Sequence, residues 1–288
     1  MKMQIYEDNS RKLADFLVGC WRYKDVMDHT VNIGPLIVSK STFTVIAGPC
    51  SIESEEQFIP TAQYVLETGA SLVRGGIYKM RTQPDAFQGL GEQAIGLVKK
   101  MKETVKAPFI AEITDPRQID KLIPIVDCFQ VGSRNMYNYE LLKELGSHKI
   151  PVLLKRGFSA IINEWVKAAD YVVSSGNDQV ILCERGIRSF DGPMRNTLDL
   201  SGVAYLKQNF QFPVLVDPSH GTGRPELIPA MSKAAIACGA DGIIVEVHPN
   251  PKEALSDGFQ ALDYEAFSSL IDQIQPYLSL ANKKLNRG

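Results

Sequence analysis

Six cationic residues stand at or just beyond the ends of short apolar runs. They are Arg74 after SLV, Lys79 and Arg81 a few residues on, Arg134 after VGS, Lys155 at the end of PVLL, and Arg185 after ILCE. Arginine makes paired hydrogen bonds to a carboxylate or phosphate, and lysine adds a compact charge. A lone loop arginine is ordinarily half of a surface salt bridge. Six that share this placement fit that explanation poorly, because gathering them costs repulsion unless anions bind among them. The chain as a whole is slightly acidic, with 31 Lys and Arg against 33 Asp and Glu. The six therefore point to a local pocket for small phosphorylated and carboxylated molecules, and not to a nucleic-acid surface.

A second set mixes soft and hard donors: Cys50 in AGPCS, His220 in DPSHG, Glu246 in IIVEV and Asp257 in LSDGF. Thiolate and imidazole suit borderline transition ions, and carboxylates add charge. The four are far apart in sequence, so no local spacing makes them a motif. Taken singly, Cys50 reads as a small buried residue, His220 as structural and Asp257 as a helix cap. Their shared placement just past apolar runs is what groups them. Glu112 and Asp217 also end such runs. His248 is read as structural.

The elements that must position these groups follow a regular pattern from residue 43. Eight short apolar runs read as strands, at 43–48, 71–76, 108–113, 128–133, 151–156, 179–184, 213–218 and 242–247. Amphipathic stretches with apolar residues at i, i+3 and i+4 separate them, several ending in glycine. Eight β-then-α units predict an α/β fold closed into a (β/α)8 barrel, whose loops after the strands carry the chemistry. A doubly wound open sheet is the alternative, but the first turn, AGPCSIES, lacks its glycine-rich fingerprint. Residues 1–42 read as an extension, with a helix in NSRKLADFLVGCW and a hairpin in TVNIGPLIVSKSTFTV that plugs the closed end. Residues 43–288 form the barrel, with YEAFSSLIDQIQPYLSLANKKL as its last helix. Five cysteines without a close pair predict free thiols in a reducing compartment. The first residues lack a signal-peptide core and no run reaches a membrane-spanning length, so a cytoplasmic location is expected.

The strings IAGPCSIES, RGGIYKMRTQPDAFQGLG, VGSRNMYN, PVLLKRGF, ILCERGIRSF, RNTLDL, LVDPSHGTGR and IIVEVHPNPKEALSDGFQ stand in one order from about residue 30 onward. Together they resemble the 3-deoxy-D-arabino-heptulosonate 7-phosphate (DAHP) synthases, in the subgroup similar to the 3-deoxy-D-manno-octulosonate 8-phosphate synthases. The resemblance implies condensation of phosphoenolpyruvate with erythrose 4-phosphate, the first step of the shikimate pathway. The octulosonate enzymes use arabinose 5-phosphate and carry Lys-Ala-Asn-Arg-Ser after the Arg-Gly-Gly strand. Here Lys79-Met80-Arg81-Thr82 keeps the heptulosonate spacing, with Met80 where that family has proline.

Carried over by residue, the resemblance makes Cys50, His220, Glu246 and Asp257 ligands of one divalent ion: manganese, iron, cobalt or zinc. It puts Arg74, Lys79, Arg134, Lys155 and Arg185 around phosphoenolpyruvate, and Arg81 and Thr82 on the aldose phosphate. Glu112 and Asp217 take supporting or water-positioning parts. Lys155 is the candidate general acid, and His220 the candidate proton relay as well as ligand. A homotetramer, or a dimer, without a regulatory or mutase domain is expected. The rival from another class is a sugar-phosphate-binding barrel without activity.

Overall fold

A computed structural model describes residues 29–81 and 83–287. The expected N-terminal helix and Thr82 lie outside the described residues. The chain enters as an antiparallel hairpin, β1 (Val31–Ile33) and β2 (Leu36–Val38), with Val31 opposite Val38. Alternation decides its orientation. Val31, Ile33, Leu36 and Val38 are buried, whereas Ile37 is exposed.

Eight parallel strands follow: β3 (Thr42–Gly48), β4 (Leu72–Arg74), β5 (Phe109–Ile113), β6 (Cys128–Val131), β7 (Val152–Lys155), β8 (Val180–Glu184), β9 (Val214–Val216) and β10 (Gly242–Glu246). Each pairs with the next, and β10 closes on β3 with Gly242 opposite Thr44 and Glu246 opposite Gly48. The expected barrel is therefore present. Its strands are buried on both faces, which explains why they read as unbroken apolar runs.

The helices are α1 (Glu55–Thr68), α2 (Glu92–Thr104), α3 (Ile119–Leu122), α4 (Tyr139–Ser147), α5 (Ile162–Ser174), α6 (Leu200–Asn209), α7 (Pro218–Thr222), α8 (Ile228–Ala237) and α9 (Tyr264–Leu280). Their starts are set by local chemistry. Ser54, Asn138, Asp199 and Asp263 each accept a hydrogen bond from a first-turn backbone N–H. The expected helix in RQIDKLIPIV is only the single turn of α3, preceded by a tight turn at Pro116–Gln118.

Two apolar layers result. Outward-facing strand residues such as Phe43, Val45, Phe109 and Phe129 pack against the helices. Inward-facing Ile46, Leu72, Ile110, Cys128, Leu153, Ile181, Cys183, Leu215 and Ile244 fill the barrel and meet the buried face of the hairpin. The hairpin thus caps the end where the strands begin, and the opposite end is left for the polar groups.

The last expected helix ends early. It stops at Leu280, Asn282 turns left-handed at φ 54, and Lys284–Leu285 form a further strand, β11, parallel to β3. The cause lies in Lys283, whose Nζ reaches the buried Asp241 carboxylate at 3.0 Å, where Lys207 also binds. The carbonyls of Ser41 and Phe43 accept from Lys284 and Asn286, and the next, Val45, accepts from Ser71. β11 thereby continues the ladder below the short β4. No described helix is long and apolar enough to cross a membrane.

Candidate active site

The strand ends deliver the expected groups to one rim. A cavity of about 270 Å³ opens there, lined by Arg74, Lys79, Arg81, Arg134, Lys155 and Arg185, and also by Glu112, His220 and Asp257. Arg74 and Lys155 belong to β4 and β7 themselves and are almost fully buried, so their charges are fixed in place.

Lys155 and Arg156 show how the strand period divides neighbours. Lys155 points into the barrel mouth, where its Nζ lies 2.5 Å from Asp217 Oδ2. Arg156 points the other way. It bonds Glu184 at 2.9 Å and Asp199 at 2.8 Å, and its guanidinium lies 5.8 Å from the centre of the Trp165 ring. Burial is the largest influence on Glu184 and raises its carboxyl above the usual range despite Arg156.

Asp217 joins several parts of the site. Its Oδ1 caps α7 by accepting from the His220 backbone N–H at 2.9 Å. Its Oδ2 faces both Lys155 Nζ and His220 Nδ1, the latter at 2.8 Å. Burial works to raise the Asp217 carboxyl, but His220 and Lys155 outweigh it and hold it well below the usual range. Burial likewise dominates at His220 and pushes its imidazole below the usual value, against the pull of Asp217 and Glu246. A neutral imidazole with a carboxylate beside Nδ1 offers its Nε2 lone pair as a donor.

That nitrogen lies 3.4 Å from Glu246 Oε1 and 3.9 Å from Asp257 Oδ2. Cys50 Sγ lies 3.4 Å from Asp257 Oδ2 and 3.3 Å from Ser256 Oγ. One donor atom from each of Cys50, His220, Glu246 and Asp257 falls within 4.8 Å of all the others. Burial first, and Glu246 next, push the Cys50 thiol up to about 12.

Whether these residues fit a divalent ion is tested by Glu246. Its Oε2 accepts from Gln260 at 2.6 Å, but Oε1 is buried and makes no hydrogen bond among the described residues. Arg74 Nη2, at 3.2 Å, is the cation beside it. A buried carboxylate oxygen facing an imidazole lone pair is costly by itself and is relieved by a cation between them. The donor set fits. The backbone of Asp257 is left-handed, at φ 51, a conformation that aspartate tolerates better than most residues.

The cations around the cavity are held by different means. Lys79 lies 3.5 Å from Glu112, and Arg81 lies 3.0 Å from Ser256 Oγ and 4.0 Å from Asp257. Burial works to lower Lys79, but Cys50 and Glu112 raise it above the usual lysine range. Arg134, Arg185 and Arg188 surround the Phe158 ring, with guanidinium carbons 5.4, 4.8 and 5.0 Å from its centre. The ring faces offset part of the repulsion among them. Burial is the chief cause that lowers Arg185 from the usual arginine value.

A protein-family model described as the DAHP synthetase I family matches residues 29–279. The chain belongs to this family. Among relatives of this DAHP synthetase I chain, a Thermotoga maritima protein named phospho-2-dehydro-3-deoxyheptonate aldolase is 43% identical over 259 residues, covering 90% of this chain and 77% of the relative. A Hydrogenovibrio crunogenus 2-dehydro-3-deoxyphosphooctonate aldolase is 33% identical over 239 residues, 74% of this chain and 83% of that one. The crystal structure of the Thermotoga maritima DAHP synthase superposes with a TM-score of 0.88 at 42% identity, covering 92% of this chain and 79% of that one. A truncated form of that synthase gives 0.84 at 40% identity, covering 90% and 95%.

Arg195, Gln130, Phe158 and Gln260 were not singled out from sequence. Arg195 lines the cavity and reaches within 3.8 Å of Asp257 Oδ1. It opens the RNTLDL string. His248 accepts at Nδ1 from Asn250 N–H at 3.1 Å and faces Glu53 at Nε2, which supports its structural reading.

Proposed function

We propose that this chain condenses phosphoenolpyruvate with erythrose 4-phosphate to give DAHP and phosphate, using one divalent ion held by Cys50, His220, Glu246 and Asp257. The observation that carries the reading is the joining of two features at one barrel rim. A convergent quartet of donors lies beside a cavity lined by arginine and lysine. When bound, the ion supplies Lewis-acid polarisation of the aldose aldehyde.

The residues supply the rest. Arg74, Lys79, Arg134, Lys155 and Arg185 bind and orient the carboxylate and phosphate of phosphoenolpyruvate, so that its C3 faces the aldehyde. Arg81, at the mouth beside Asp257, takes the aldose phosphate together with Thr82. Glu112, next to Lys79, positions the water that adds at C2. Lys155 holds its proton at Nζ against Asp217 and donates it to the departing phosphate. Asp217 sits between Lys155 and His220 and, as a carboxylate, orients both.

The aldose is argued from the Lys79–Thr82 spacing and from the 43% identical relative, whose name is that of the heptonate enzyme. A cytoplasmic homotetramer is part of the same reading. Tyr139 stacked on Tyr171, with exposed Ile161 at the start of α5, offers apolar surface for self-association. The decisive assay follows phosphoenolpyruvate consumption with erythrose 4-phosphate and, separately, arabinose 5-phosphate, with and without EDTA. EDTA-sensitive turnover with erythrose 4-phosphate alone is expected. Turnover with arabinose 5-phosphate alone would overturn the aldose assignment, and no turnover with either in metal-replete protein would favour a non-catalytic barrel.

A further inference from the structure

Glu246 has two carboxylate oxygens, and its surroundings treat them differently. Oε2 accepts a 2.6 Å hydrogen bond from Gln260 Nε2, while Oε1 faces His220 Nε2 and the Arg74 guanidinium, 3.2 Å away, and makes no hydrogen bond among the described residues. Gln260 is fully buried and sits in the same short turn as Asp257, whose carbonyl accepts from the Gln260 backbone N–H at 3.2 Å. A glutamine amide can present either its oxygen or its nitrogen to a neighbour. If the oxygen faced Glu246, two acceptors would meet in a buried site.

Arg195 settles which end points inward. Its Nη1 donates to Gln260 Oε1 at 2.6 Å, and arginine offers only donors. The amide nitrogen is therefore left to face Glu246. Arg195 itself lines the cavity and is part-exposed, so the chain of contacts runs from the substrate space to a buried candidate ligand.

We propose that Gln260 is a positioning residue that occupies Oε2 of Glu246 and leaves Oε1 as the single oxygen offered to the divalent ion. Arg195 fixes the polarity of the Gln260 amide. This rests on the reading of the quartet as a metal site and adds how that site is oriented. Neither residue belongs to the convergent donor quartet.

The test measures manganese(II) binding alone, with no substrate, by the free-ion electron paramagnetic resonance signal on metal-stripped protein. Gln260→Leu, similar in size but without an amide, is expected to weaken binding about 10–100-fold, the usual effect of losing a ligand's supporting hydrogen bond. Arg195→Met is expected to weaken it less. Arg195→Lys, which restores a donor, is expected to recover part of that loss. A merely structural part for Arg195 would not give this order. Gln260→Leu that folds and binds manganese(II) as the wild type does would overturn the proposal. If that variant does not fold, Arg195→Met with wild-type affinity would overturn it, since Arg195 is part-exposed and its replacement leaves the core intact. Wild-type protein that takes up no manganese(II) would sink the metal-site reading and this inference with it. Intact wild-type binding with insensitive variants sinks this inference alone.

Discussion

Cys50 and Arg81 separate two parts played by single side chains. Cys50→Ala removes one donor while changing little volume. We expect it to retain the fold but to lose most divalent-ion uptake, checked by metal content after dialysis and by turnover at saturating metal. Near wild-type turnover would contradict a ligand part for Cys50. Arg81 stands at the mouth, so Arg81→Ala should raise KM for erythrose 4-phosphate by on the order of tenfold or more, as the loss of a charge-assisted contact implies. KM for phosphoenolpyruvate should move much less, and the reverse pattern would contradict the assignment. The groups at strand ends were legible because each follows an apolar run. Arg195 and Gln260 were not, because they lie in irregular segments after β8 and β10, where no period marks direction. The opposite fates of Lys155 and Arg156 follow from the two-residue strand period alone.

The strands and helices make their own predictions. At the closing seam, a Cβ on Gly242 would stand 2.1 Å from the backbone oxygen of Thr44 on β3. Backbone cannot yield as a side-chain tip does. Gly242→Ala should therefore destabilise by about 1–3 kcal/mol, read from a shifted urea midpoint. The hairpin offers a contrast. Leu36 is buried against the barrel floor, and Leu36→Ala should cost about 2–5 kcal/mol of stability. Because the floor lies opposite the catalytic rim, KM for both substrates should stay unchanged at temperatures where the variant is folded. All eight strands could be read from their apolar runs. The end of α9 could not, since Lys283 and Lys284 continue a plausible helical pattern. What diverts them is the buried Asp241, more than forty residues earlier in the chain, a contact invisible to local periodicity.

Charge acts at the scale of the whole molecule. A protein of net charge −2 gathers seven cations around one cavity: Arg74, Lys79, Arg81, Arg134, Lys155, Arg185 and Arg195. Such a field draws anionic substrates inward and is screened by salt over about 10 Å at 0.1 M. We expect kcat/KM for phosphoenolpyruvate to fall as potassium chloride rises, with a smaller change in kcat. A rate indifferent to salt would mean that the buried acids cancel the field outside the cavity. Removal of the ion should act globally too. A ligand bound only by the folded state stabilises it, so EDTA treatment should lower Tm as well as abolish turnover.

The seam between β3 and β10 also bears on how the chain is made. β3 is the first barrel strand to leave the ribosome, and β4 covers one of its edges soon afterwards. The other edge waits for Gly242–Glu246, almost two hundred residues later, and the ladder below β4 waits longer still for Lys284–Leu285. Until those segments are made, β3 presents unpaired backbone flanked by apolar side chains, the kind of surface that recruits chaperones or a second nascent chain. The barrel can close only after Gly242–Glu246 has been made.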